Sequence, residues 1–212
     1  SGELKHSLIG GESASDGNII AHSPGFGIVL YSVTVQGTSI LGNSIYSNAR
    51  GGIAMSQDKN GNTANRGQVR PALSGITKNS VSGTLNGPAS ESFRIEYFST
   101  PRLSDGSPAA YAAKTLLGVQ TVSTDAAGQA LLQLDAAMPS GKLATVTAIA
   151  TRLSTRDSST ISGPPLALGN QPPQATAQDL QTEQDKPLAI VLAGSDTDGD
   201  ALSFAIASPP QH

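Results

Sequence analysis

Gly17-Asn18-Ile19-Ile20 leads to Gly27-Ile28-Val29-Leu30, and 25 residues on Gly42-Asn43-Ser44-Ile45 leads to Gly52-Ile53-Ala54-Met55. Five positions coincide at that offset: Gly17 with Gly42, Asn18 with Asn43, Ile20 with Ile45, Gly27 with Gly52 and Ile28 with Ile53. Each unit reads as Gly-Asn, a short apolar strand, a polar turn, a Gly and a second short apolar strand. A period in the low twenties with these corners predicts solenoid coils, each pairing its backbone with the coil above and below. Inward Ile and Val would stack, while Asn and Gly would take the corners that need positive φ. The competing reading is chance likeness within Gly/Ser/Ile-rich sequence.

Working outward, the whole chain shares this small-residue character. Of 212 residues, 23 are Gly and 13 Pro, and charged residues make up 14%, against about 25% in an average soluble domain. That composition excludes a coiled coil. The net charge of −3 excludes a nucleic-acid binder working through a basic patch. With no Cys, neither a disulfide scaffold nor a thiolate metal site is available. No apolar run approaches the ~20 residues of a membrane span, so membrane insertion is not expected. Ser1-Gly2-Glu3-Leu4-Lys5 opens on mature-looking sequence, which reads as a removed leader or a piece of a longer chain.

Residues 80–157 carry period-2 patterning. Val81-Ser82-Gly83-Thr84-Leu85 alternates, and Phe93, Ile95 and Tyr97 face one way with Arg94, Glu96 and Phe98 opposite. Thr124-Asp125-Ala126-Ala127-Gly128 separates two strand-like runs as a hairpin turn, with Gly at the positive-φ position. Strands at this spacing predict an immunoglobulin-like sandwich. Pro108 to Lys114 is the one helix-compatible stretch, expected as a short turn within a loop. Residues 158–174, with two Pro-Pro pairs, read as a semi-rigid linker.

Ile40-Leu41-Gly42-Asn43-Ser44-Ile45-Tyr46-Ser47-Asn48 with Gly51-Gly52-Ile53 resembles the last coil of bacterial secreted right-handed parallel β-helix proteins of the pectate-lyase-like superfamily. In many of these a β-sandwich follows, and Gly83-Thr84-Leu85-Asn86, Phe93-Arg94-Ile95-Glu96-Tyr97-Phe98 and Ser123-Thr124-Asp125-Ala126-Ala127-Gly128 resemble its strands and hairpin in order and spacing. The likeness covers about residues 32–150, departing in a shorter loop at 56–70 and in lacking a Cys after Phe98. Farther on, Asn170-Gln171-Pro172-Pro173, Asp185-Lys186-Pro187-Leu188 and Gly194-Ser195-Asp196-Thr197-Asp198-Gly199-Asp200 resemble the start of the cadherin-like tandem repeats of large adhesins.

These readings give an all-β chain: terminal coils of a parallel β-helix at 1–56, a connector at 57–79, an immunoglobulin-like sandwich at 80–157, a linker at 158–174 and an incomplete cadherin-like module at 175–212. Two or three strands cannot close a sandwich, so an exposed edge is expected on that last module. Such an edge would pair with other copies of the chain or with other surface proteins by strand addition.

Charge locates the chemistry. Residues 158–212 hold six acidic groups and one basic one. Asp196, Asp198 and Asp200, with Glu183 and Asp185 upstream, are the candidate metal ligands, since alternate residues of an extended segment point the same way and carboxylates suit Ca²⁺. Ala201 and Ala207 stand where an EF-hand needs Gly and Glu, and a solvated acidic turn is the alternative. Asp58-Lys59-Asn60-Gly61-Asn62 looks like a calcium loop but has mostly neutral ligands and reads as a turn. Residues 17–55 contain no Asp or Glu, with Arg50 and His22 their only Arg and His, whereas hydrolytic glycosidases need paired carboxylates. His22, beside Ser23-Pro24, reads as a corner residue rather than a base.

The expected function is therefore a non-catalytic structural or adhesive segment of a large secreted bacterial surface or extracellular-fibre protein, located outside the cell. The alternative is an ancillary region of a polysaccharide-degrading enzyme or a carbohydrate-binding protein, with polysaccharide as partner.

Overall fold

A computed structural model describes residues 5–13, 15–103, 109, 111–138, 144–167, 173–183, 186–196 and 202–205. The described chain is all-β, without a closed barrel.

Six short strands open it: β1 (Lys5–Gly10), β2 (Ile19–Ala21), β3 (Phe26–Leu30), β4 (Gln36–Leu41), β5 (Ser44–Tyr46) and β6 (Gly51–Met55). They form three parallel pairs, β1 with β4, β2 with β5 and β3 with β6. The chain thus makes two turns, the second lying on the first. Ile20 sits opposite Ile45 and Ile28 opposite Ile53, which is the offset of 25 at which the sequence repeats. β1 and β4 are offset by 31, with Ile9 opposite Ile40, because the segment from β1 to β2 is longer than the two-residue corner Gly42-Asn43 between β4 and β5.

Asparagine side chains bind the two turns together. Asn43 Oδ1 accepts from the Asn18 backbone N–H (3.1 Å) and Nδ2 (3.0 Å), and Asn43 Nδ2 donates to Ile9 O (2.8 Å). Asn48 repeats the device, taking Ser23 N–H at 3.0 Å and donating to Ile20 O at 2.9 Å. An amide has both donor and acceptor, so one side chain can satisfy both kinds of orphan at a corner. Gly42 takes the left-handed conformation there, with φ of 65°.

After a 3₁₀ turn (Ala64–Gly67), two antiparallel sheets follow. One comprises β10 (Thr115–Ser123), β9 (Ser92–Pro101), β12 (Ala144–Arg152) and β13 (Leu166–Ala167) in that order; the other β11 (Gln129–Asp135), β8 (Ser80–Asn86) and β7 (Ala72–Ile76). Phe93, Ile95, Tyr97, Val146, Ala148 and Ala150 of the first face Val81, Leu85, Ala130 and Leu132 of the second in one apolar core. The hairpin turn is as expected: Asp125 Oδ1 accepts from Ala127 and Gln129 N–H, both at 2.8 Å, and Gly128 has φ of 81°. β14 (Gln174–Ala175) and β15 (Gly194–Ser195) pair with each other.

Of the stretch read as a short turn within a loop, Tyr111 lies in a turn and Ala113 bridges β5 antiparallel, Ile45 and Ala113 exchanging two bonds of 2.7 Å. Two expectations are corrected. The connector supplies β7, an edge strand of the second sheet. The linker reading fails over its first part: Ser158, Ser159, Ile161 and Ser162 are buried, and β13 pairs with β12. Pro-Pro composition stiffens a segment but does not decide whether it is covered, and here the serines lie against β12.

Candidate functional site

β9 and β12 are buried on both faces. Their second face does not meet water; it meets both turns of the parallel-paired strands. Phe98, Ile149 and Ile161 join Ile28, Leu30, Ile40, Ile45 and Ile53 in a second core. Burying a side chain of that size contributes about 1.5–3 kcal/mol, so this joint is a substantial apolar contact.

Around that core the exposed edge of the second turn is closed by side chains of the following region. A parallel strand with no neighbour presents unpaired N–H and C=O groups, and several of them are met. Gly37 N–H donates to Asp157 Oδ1 (2.7 Å), Thr38 N–H to Asn65 Oδ1 (3.0 Å), Ile40 N–H to Ser158 Oγ (2.8 Å) and Gly42 N–H to the Glu96 carboxylate (3.1 Å). Asn65 Nδ2 returns bonds to Thr38 O (2.7 Å) and Ser158 O (3.0 Å). Gly52 N–H reaches Tyr111 O at 2.9 Å, and Ser44 Oγ donates to Lys114 O at 2.7 Å. The threonines of β12 serve the same joint: Thr147 Oγ1 donates to Ala112 O (2.7 Å), and Thr151 shares a 2.6 Å bond with Ser158.

Two carboxylates are fully buried here. Asp157, 1% exposed, is held by Arg66 Nη1 at 2.7 Å. Glu96, also 1% exposed, is held by Arg94 at 3.0 Å. Burial pushes the Glu96 carboxyl above its ordinary range, against the opposing pull of Gly42 N–H and Arg94. At the far end of the sheet the Glu91 carboxyl is held down at about 2 by the Arg152 guanidinium and then the Ser154 hydroxyl.

Of the candidate metal ligands, Asp198, Asp200 and the upstream Asp185 lie outside the described residues. Asp196 directly follows β15, and Glu183 pairs with Lys186 at 2.6 Å on the surface. Among the described residues no group of three or more His, Asp or Glu is gathered. Asp58 is committed to its turn, accepting from Asn60 and Asn62 N–H at 2.9 Å. His22 occupies a corner with φ of 62° and meets Tyr46 edge-on at 5.9 Å. No described helix is long and apolar enough to cross a membrane.

Sequence reasoning missed the joint. Asn65, Glu96 and Asp157 are each ordinary in sequence and come together only in three dimensions. The one available signal was Glu96 between Ile95 and Tyr97, a charge within an apolar strand.

The chain matches no protein-family model and no curated protein.

Proposed function

We propose that the chain is a non-catalytic structural and adhesive segment of a large secreted bacterial surface or extracellular-fibre protein. In this reading the two turns are the end of a right-handed parallel β-helix, the paired sheets an immunoglobulin-like sandwich, and residues 175–212 the start of a cadherin-like module. The observation that carries it is the joint. A second apolar core, ringed by hydrogen bonds to the coil edge, ties the stack to the sheet and suits a part that transmits position and force. The carboxylate-free span 17–55 supports the same reading, since hydrolysis of a polysaccharide needs paired acids.

In such a protein Asp196, Asp198 and Asp200 would bind Ca²⁺ and stiffen the last module, and open strand edges would join other copies or other surface proteins. Antibody raised against the chain is expected to label intact, unpermeabilised cells, and deletion of its coding segment to reduce surface attachment. The purified chain is expected to release no new reducing ends from polysaccharides. Intracellular labelling, or depolymerisation of a glycan, would overturn the proposal.

A further inference from the structure

Two Asn-Gly pairs occur in the chain, Asn60-Gly61 and Asn86-Gly87. In such a pair the glycine nitrogen can reach the side-chain carbonyl of the asparagine, because no Cβ crowds the ring that forms. The two pairs stand in opposite surroundings. Asn60 lies in the turn after β6; it is exposed, and its side-chain amide bonds nothing among the described residues. At Gly61, with φ of 85°, the place of a Cβ has no atom within 4 Å apart from its chain neighbours.

Asn86-Gly87 is locked. Asn86 stands opposite Gln129 in the register of β8 and β11, Gly87 N–H donates to Gly128 O at 2.8 Å, and a Cβ on Gly87 would come within 2.9 Å of the Phe93 ring. At Gly61 the brake is a single bond of an exposed turn, from its N–H to Asp58 O at 3.1 Å. One such bond withholds the nitrogen by at most about tenfold in rate. Every other described asparagine is followed by a residue that carries a Cβ.

The chemistry needs only the turn and water. Gly61 N bonds to Asn60 Cγ, the Cγ–Nδ2 bond breaks, and the Gly61 proton leaves with Nδ2 as ammonia. Water then opens the cyclic imide at either carbonyl, giving aspartate or isoaspartate, with no change of oxidation state. Isoaspartate routes the main chain through Cγ and so inserts a methylene between residues 60 and 61. Asp58 Oδ1 holds Asn60 and Asn62 N–H, both at 2.9 Å, on either side of that point, and Asp58 N–H reaches across it to Asn62 O at 2.9 Å. These bonds fix the register that the insertion shifts. Either product also sets a second carboxylate near Asp58, and like charges repel.

We infer that Asn60-Gly61 is a self-modifying site: without an enzyme, Asn60 passes to aspartate and isoaspartate, and the turn opens as it does so. The inference does not depend on the adhesive reading. It applies wherever the folded chain outlasts the reaction.

The test is prolonged incubation of the whole chain in mildly alkaline buffer, with a synthetic peptide of residues 57–63 as the unfolded reference. Peptic digestion in acid, which halts imide formation, and chromatography with mass spectrometry then separate asparagine, aspartate and isoaspartate at each site. Conversion at Asn60 is expected within about tenfold of the peptide's rate. It should be at least about tenfold faster than at Asn86, whose strand end must open first. Isoaspartate should appear together with aspartate, and the rate should rise with pH, because Gly61 N attacks after losing its proton. Asn60→Gln should gain no carboxylate at this turn over the same period, with its thermal midpoint unchanged. In the converted chain Asn62 N–H should exchange about tenfold faster or more, as a bond of an opened turn does. Conversion of Asn60 more than about tenfold slower than the peptide, equal rates at Asn60 and Asn86, aspartate without isoaspartate, or unchanged exchange at Asn62 would overturn the inference.

Discussion

Replacing Asn65 tests the joint at the point where it is most concentrated. The side chain is fully buried, makes three hydrogen bonds across the joint, and sits at φ of 48°. Asn65→Gly removes the three bonds without straining the backbone. Thr38 O keeps a partner, because Ser158 N–H also reaches it at 3.1 Å. Thr38 N–H and Ser158 O lose theirs, and a buried orphan costs about 1–3 kcal/mol. The expected loss is therefore roughly 2–4 kcal/mol, part of the cost of Ser158 O being met by small shifts. Asn65→Ala loses the same bonds and adds the left-handed penalty of about 1–2 kcal/mol. It recovers about 0.4–1 kcal/mol by having a less flexible unfolded chain than Gly. Strain is the larger of these two, so Ala should be less stable than Gly by about 0.5–1 kcal/mol. Urea unfolding followed by circular dichroism gives both values, and amide exchange gives the local one, with Thr38 N–H expected to exchange far faster in both variants. A loss under about 1 kcal/mol for Asn65→Ala, below the cost of a single buried orphan, or unchanged exchange at Thr38, would refute the claim that side chains close this edge.

Three further variants test other contacts. The Glu91 carboxyl, held at about 2 against an ordinary 4.5, contributes stability that is complete above 4.5 and fades as pH falls toward 2; Glu91→Gln should remove that acid-side slope from a plot of urea midpoint against pH. Glu96, raised by burial, works in the opposite sense, its charging costing stability as pH rises above the ordinary carboxyl value, so Glu96→Gln should flatten that limb. Ile149→Ala, at a side chain 1% exposed in the second core, should cost about 2–5 kcal/mol. It should lower near-ultraviolet tyrosine and far-ultraviolet transitions together. Separation of the two would mean that the strand stack and the sheets unfold independently.

Much of the strand layout was legible because it depends on local periodicity. Gly17-Asn18 and Gly42-Asn43 mark matching corners, and Phe93, Ile95 and Tyr97 alternate as a one-sided strand should. What was hidden is the second face of the first sheet. Thr145, Thr147 and Thr151 are polar and ordinary in sequence, yet they are buried with their hydroxyls on neighbouring carbonyls or serine. Ser158 to Ser162 read as linker for the same reason, since small hydroxylated residues have no burial preference strong enough to show which surface covers them. The acidic triplet was the most visible chemistry in the sequence, and two of its three members lie outside the described residues.

Among the described residues the sealing hydrogen bonds reach the second turn and the step into it, although the apolar core also takes in Ile28 and Leu30 of the first. Asp157, Asn65, Ser158, Glu96, Ala113 and Tyr111 bond residues between Val35 and Gly52, and the first turn is bound to the second by Asn43 and Asn48. A gene that duplicated or lost a unit of about 25 residues between the first turn and anything stacked on it would leave every sealing hydrogen bond intact. Length and closure would then vary separately, coils added or removed at one end without disturbing the end that the sheet covers.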